Sequence, residues 1–284
     1  MIRIVTDSTC DLLQSEQAQL GVDVLPLTLN FAGHIYKDGI DLTHAQFYEK
    51  LAKSSKLPTT SQINPGEFAQ YFEKCVAAGD EVVGIFLSGE LSGTYQSAMI
   101  AANEVSPDRI FPVDSRCTTF AMGLLVREAV RMRDSGQYRG AEIAKAIALL
   151  AKRVRLFAVI DTLKYLKMGG RLDAKTAFVG ELLGVKPVIA VTDGKVEVIG
   201  KTRGETGYGK ALLKQFQLSK PDYHYGVAFG HANAPEKLKN CMTFFAPHLQ
   251  PTQIYSGNVG SAIGTHTGPG VVGMAYISSL PTQL

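Results

Sequence analysis

The residue types best suited to chemistry fall in short polar clusters: TDST (6–9), TTSQ (59–62), SGELSGT (88–94), VDS (113–115) and GTHTGPG (264–270). In the last of these His266 stands between Thr265 and Thr267, and the surrounding glycine and proline permit a tight backbone path and close approach to a ligand. An imidazole there can act as a base, ligate a metal, donate to a bound anion or serve as a structural ring. The six histidines show no HxxxH spacing and no paired acidic ligands, so no metal site is expected. The flanking hydroxyls, which donate as well as accept, favour anion recognition.

In SGELSGTYQSA, Ser92, Gly93 and Thr94 lie where a loop enters a helix, and free backbone amides at such a place attract an anion. Ser92 can equally be a plain N-cap. The spacing is neither GxGxxG nor GxxxxGK[ST], and the serine lacks the GxSxG elbow of hydrolases. Thr60 and Ser61 precede a capped helix, where hydroxyls also bond their own backbone. Asp114 and Ser115 read as capping residues, and Asp7 as a cap or as the orienter of a neighbouring hydroxyl. No catalytic residue is assigned.

The elements that must position these clusters alternate through the first half. IRIVTDS, EVVGIFLS and RIFPVDS are apolar strands closing on Ser or Asp, separated by helical segments. NPGEFAQYFEKCVAAG starts a helix with Asn64 as cap, Pro65 in the first turn and Glu67 completing a capping box. Such alternation predicts a largely parallel sheet, with an inserted hairpin turning at Ala32 and Gly33. The second half predicts a mixed sheet with a hairpin at Asp193–Gly194 and strands on both sides of THTGPG. The fold class is therefore α/β, with two α/β domains, 1–155 and 156–284, and a ligand cleft between them. In such sheets ligands bind at the carboxyl ends of the strands, where the polar clusters lie.

Over 284 residues, 45% are hydrophobic and 19% charged, which is ordinary globular composition. No segment approaches 18 uninterrupted apolar residues and the N-terminus lacks a signal-peptide pattern, so a cytoplasmic protein without a transmembrane segment is expected. Four scattered cysteines form no CxxC pair and give no disulfide framework. A net charge of +3 is too mild to argue for nucleic acid.

Taken in order, IVTDSTCDL, TTSQINPGEF, LSGTYQSA, VDSRCTTFAMG, DTLKYLKMGGRL, KPVIAVTDGKV and IGTHTGPGVVG resemble the DegV family through essentially the whole chain. Better-characterised members of that family are the fatty-acid-binding subunits of the bacterial fatty acid kinase system. The resemblance implies a two-domain α/β protein enclosing one long-chain fatty acid, with no cofactor. Carried over by motif, Thr60, Ser61, Ser92 and His266 would hold the carboxyl group, with Gly93 and Thr94 beside Ser92. A separate ATP-dependent kinase subunit would convert that carboxyl to an acyl phosphate, Arg171 and Arg203 facing this partner. Contact with a membrane would be transient and confined to its surface.

The physics is compatible with this. Hydroxyls and an imidazole can converge on a buried carboxylate, and ~14 buried methylenes contribute on the order of 10 kcal/mol before ordering costs. FAMGLLV, FVGELLGV and VVGMAYI are apolar for core and tunnel alike, and core packing is the expectation for each. Two rival readings stand beside it: an acyl-transfer or hydrolytic enzyme with Ser92 as nucleophile and His266 as base, and a phosphosugar or nucleotide binder at the Ser92 helix.

Overall fold

Three sheets organise the described residues, 1–172, 184–204 and 206–279, of the computed structural model. The first half runs β1 (Ile2–Asp7), α1 (Gln14–Leu20), β2 (Val22–Leu25), β3 (Thr28–Phe31), β4 (His34–Lys37), α2 (His44–Lys53), β5 (Thr59–Ser61), α3 (Pro65–Ala77), β6 (Glu81–Phe86), α4 (Thr94–Val105), β7 (Ile110–Asp114), α5 (Thr119–Asp134) and α6 (Gly140–Ala151). The second adds β8 (Val154–Val159), α7 (Lys164–Met168), β9 (Val185–Thr192), β10 (Lys195–Arg203), α8 (Thr206–Leu218), β11 (Val227–His231), α9 (Pro235–Phe245), β12 (Ile254–Asn258), α10 (Ser261–Thr267) and β13 (Val272–Ile277). Residues 178–183, most of the apolar run FVGELLGV, lie outside the described residues.

The alternation of strand and helix yields a four-stranded sheet in the order β2-β1-β6-β7, parallel throughout. Its central strand β6 is apolar on both faces, since Val82, Val83, Ile85 and Phe86 are all buried. The second half forms a six-stranded mixed sheet, β10-β9-β8-β13-β11-β12, in which β11 and β12 pair in parallel and the other neighbours antiparallel. This is the expected α/β class. The inserted hairpin β3–β4 turns at Ala32 and Gly33, with φ of 52° and 86°, and recruits β5 into a third, antiparallel sheet. Asp193 and Gly194 likewise have positive φ, 49° and 83°, as a two-residue hairpin turn requires.

Two local devices fix the site. The capping box at α3 forms as read: Asn64 Oδ1 accepts from Glu67 N, and the Glu67 carboxylate accepts from Asn64 N. It sets the direction in which the chain leaves β5, and so the placement of Thr60 and Ser61. The helix α5 packs on strands of both large sheets, and its Phe120 ring covers Gly230, where any β-carbon would overlap the ring, and lies close over Gly273, where a β-carbon would overlap the Phe157 carbonyl oxygen. Two apolar clusters join the halves, one holding Val5 with Ile189 and another Ile4 with Ala275, while a third lies within the second half alone.

One expectation fails. The segment before GPG is not a strand but the seven-residue α10, with His266 in its last turn. Its amides are held from afar: Asp11 Oδ1 accepts from Gly260 N at 2.9 Å, and Asp38 Oδ1 from Ser261 N at 3.1 Å and Ala262 N at 3.3 Å. A short run of small residues has little helical tendency alone, so these buried carboxylates supply what local sequence does not.

Candidate functional site

A cavity of about 350 Å³ lies between the carboxyl end of the parallel sheet, α10, and strands β8 and β9. This is within the range of ~300–1,000 Å³ typical of small-molecule pockets. Its walls are mainly apolar, including Leu87, Phe120, Leu156, Ile189, Ile263 and Val271. Into the same cavity come Thr60 and Ser61 from β5, Ser92 and Gly93 from the loop before α4, Arg171 from the segment after α7, and His266 from α10.

Thr60 Oγ1 and His266 Nε2 are 2.8 Å apart. Burial, with the nearby Arg171 cation as the second cause, pushes the imidazole pKa down to about 4, so the ring is neutral at pH 7. Its Nδ1 is buried without a partner, against Gly169, where a β-carbon would overlap it. We assign the proton to Nε2, because an orphaned lone pair costs less than an orphaned buried N–H. Nε2–H then donates to Thr60, whose own hydroxyl proton is left for a ligand. His266 thus acts through Thr60 in this geometry.

Ser92 Oγ accepts from Thr94 N at 3.3 Å and lies 3.0 Å from Thr94 Oγ1. Ser92 and Gly93 line the cavity, whereas Thr94 is fully buried behind them and does not. Gln62 donates to Ser97 Oγ at 2.9 Å and crosses over Gly93 so closely that a β-carbon there would overlap its amide. A side chain at position 93 would therefore displace the Gln62 amide, although the backbone conformation there suits any residue.

Arg171, expected to face a partner, is half-buried in the cavity wall, its Nε donating to Leu91 O at 3.1 Å and Nη1 to Gly169 O at 2.6 Å. Those two bonds turn the side chain inward. Arg203 is exposed at the end of β10 and does not line the cavity. The hydroxyls beside His266 are also spent locally: Thr265 donates to Ser261 O at 2.9 Å, and Thr267 to Ile263 O at 3.1 Å.

Asp7 does both things read for it, accepting from Thr9 N at 2.9 Å and from the Thr9 hydroxyl at 2.5 Å. It also accepts from Leu87 N at 2.8 Å, tying the end of β1 to that of β6. Burial pushes its pKa up to about 6.

Gln62 of TTSQ and Thr267 beside His266 line the cavity as well, and so do two residues that motif reading missed, Thr118 and Thr119. CTTF before a helix looks like ordinary capping, yet Thr118 occupies the N-cap of α5 without any capping bond. Among the described residues no group of three or more His, Cys, Asp or Glu could hold a metal ion, and no helix is long and apolar enough to cross a membrane.

The family model described as uncharacterised protein, DegV family, matches residues 1–279. A DegV domain-containing protein of Caldanaerobacter subterraneus subsp. tengcongensis is 36% identical, with 97% of this chain and 98% of that one covered. A DegV family protein of Thermus thermophilus, described as binding fatty acid, superposes with a TM-score of 0.87 at 33% identity, over 97% of this chain and 99% of that one. A stearic-acid-binding protein of Eubacterium ventriosum gives a TM-score of 0.84 at 28% identity, over 97% of each chain. With its model matched from end to end of the described fold, and relatives of equal length, the chain belongs to the DegV family.

Proposed function

We propose that this protein binds one long-chain fatty acid, with the acyl chain in the apolar cavity and the carboxylate at its polar end. The observation that carries this reading is the pairing of Thr60 with a neutral His266 at one wall of a cavity that is otherwise largely apolar. A carboxylate there receives the Thr60 hydroxyl, donors at Ser92 and Gly93, and the field of the Arg171 cation. These groups offset the cost of removing a charge from water, which is large without partners. The acyl chain supplies most of the affinity, and the polar end fixes its direction.

In the finer form of this proposal the protein is a cytoplasmic carrier that presents the carboxylate to an ATP-dependent kinase. A carboxylate oxygen attacks the γ-phosphorus, the bond to the ADP oxygen breaks, and an acyl phosphate results. The carrier contributes positioning, and the kinase the nucleotide. Arg203, exposed outside the cavity, is the residue suited to contact such a partner.

The acyl-transfer reading has less support. Ser92 bonds Thr94, His266 bonds Thr60, and among the described residues no acidic side chain orients His266.

Extraction of gently purified protein followed by mass spectrometry should yield about one fatty acid per chain. Repeatedly empty protein from lipid-replete cells would refute the binding role. With a kinase and ATP, hydroxylamine should trap the acyl group as a hydroxamate; Arg203→Ala should lower that yield while lipid is retained.

A further inference from the structure

The cavity has a second polar place that the carboxylate does not use. Thr118 and Thr119 both line it, at 6% and 4% exposure, and the hydroxyls of both are buried without a hydrogen-bond partner. Both oxygens are closed off as the side chains stand, yet buried hydroxyls are nearly always paired, so two adjacent unpaired ones in a cavity wall mark a place where an occupant can complete the bonding.

They stand at the amino end of α5, a sixteen-residue helix. An α-helix leaves its first N–H groups unpaired within itself, and its dipole makes that end positive. Thr118 sits at the N-cap, where a threonine normally accepts from the first turn, yet no side chain caps this helix. Thr119 adds strain: its φ is 58°, in the left-handed region that a β-branched residue rarely enters. Such conformations persist where a site requires them. Rotation about χ1 brings a threonine hydroxyl to the position its methyl held, so each residue can offer an apolar or a polar face to what lies beside it.

We propose that this locus recognises an oxygen substituent, hydroxyl or keto, carried along the acyl chain, so that the protein selects oxygenated fatty acids over plain ones. The end of α5 offers donors and positive potential, which suit an acceptor oxygen and not a cation. The inference rests on the fatty-acid reading above and adds the class of acyl chain.

The test is competition for a bound fluorescent fatty acid by stearic acid and by the series of monohydroxystearic and oxostearic acids, each substituted at a different carbon. One short run of adjacent positions should bind about tenfold more tightly than stearic acid, as one recovered hydrogen bond provides. Comparison of the hydroxy and oxo arms identifies which oxygen is preferred. The advantage should vanish in Thr118→Val/Thr119→Val, which keeps side-chain shape and β-branching, and persist in Thr119→Ser, which keeps the hydroxyl. Should the double variant fail to fold, Thr118→Val alone must reduce the advantage. A flat series with stearic acid bound overturns this inference and leaves the fatty-acid reading standing, as does an advantage that survives in a folded double variant. Failure of stearic acid and the whole series to bind removes both.

Discussion

The two ends of α10 are built on opposite principles. At its amino end, the amides of Gly260, Ser261 and Ala262 are all taken by Asp11 and Asp38, carboxylates that arrive from distant parts of the chain and are themselves buried. Burial pushes both acids above the usual carboxylate range, and for Asp38 a hydrogen bond from Ser8 and the charge of His44 counteract this. At its carboxyl end His266 has one partner and a bare Nδ1. Bonds made by remote, sequestered groups fix a helix in place; bonding capacity left over at a cavity wall is what a ligand can use.

The sharpest way to break this contrast is Asp38→Ala, which strips two amides of their acceptor. It should cost about 3 kcal/mol in urea unfolding, with lipid loss following from the displaced helix. Unchanged stability would show that the amino end is not the anchor. Next comes Gly169→Ala. The backbone at Gly169, φ −78°, suits any residue, but the added methyl would overlap His266 Nδ1. Lipid retention should fall at least about tenfold, with stability lowered by about 1–3 kcal/mol. Retention equal to wild type would mean that the ring position does not matter.

Thr60→Val is milder. Losing one hydroxyl between His266 and the carboxylate should weaken retention about fivefold, measured by competition. The smallest effect is in the pH profile. His266 has a folded pKa of about 4 against 6.5 unfolded, so its stabilising contribution is complete above pH 6.5 and is lost as pH falls towards 4. Asp7, at about 6 against 3.8, contributes fully below pH 3.8 and loses it as pH rises through 6. The two slopes oppose each other. His266→Gln should therefore gain stability relative to wild type between pH 7 and pH 5.5, on the order of 1 kcal/mol. No change in that difference would contradict a neutral, buried ring.

Much of this was legible in the sequence because the signals were local. The Asn64–Glu67 box, the Asp193–Gly194 turn and the alternating apolar runs each reside within a few residues of the feature they specify. The α10 helix was read as strand and loop because its stabilising acceptors lie at positions 11 and 38. The same limit hid the roles of Thr118 and Arg171. A missing cap at one and an inward turn of the other are facts about three-dimensional neighbours, and residue type alone carries neither.

The brevity of α10 has a consequence of phase. The helix has only seven residues between its anchored start and its end, and Gly264 presses so closely on Tyr48 that no β-carbon fits between them. Each residue of an α-helix advances the side-chain direction by about 100°. One residue inserted after Ala262 would therefore swing His266 away from Thr60 and press another side chain onto Tyr48. The helix works as an indexing shaft: its angular setting, more than its composition, is what cannot be altered.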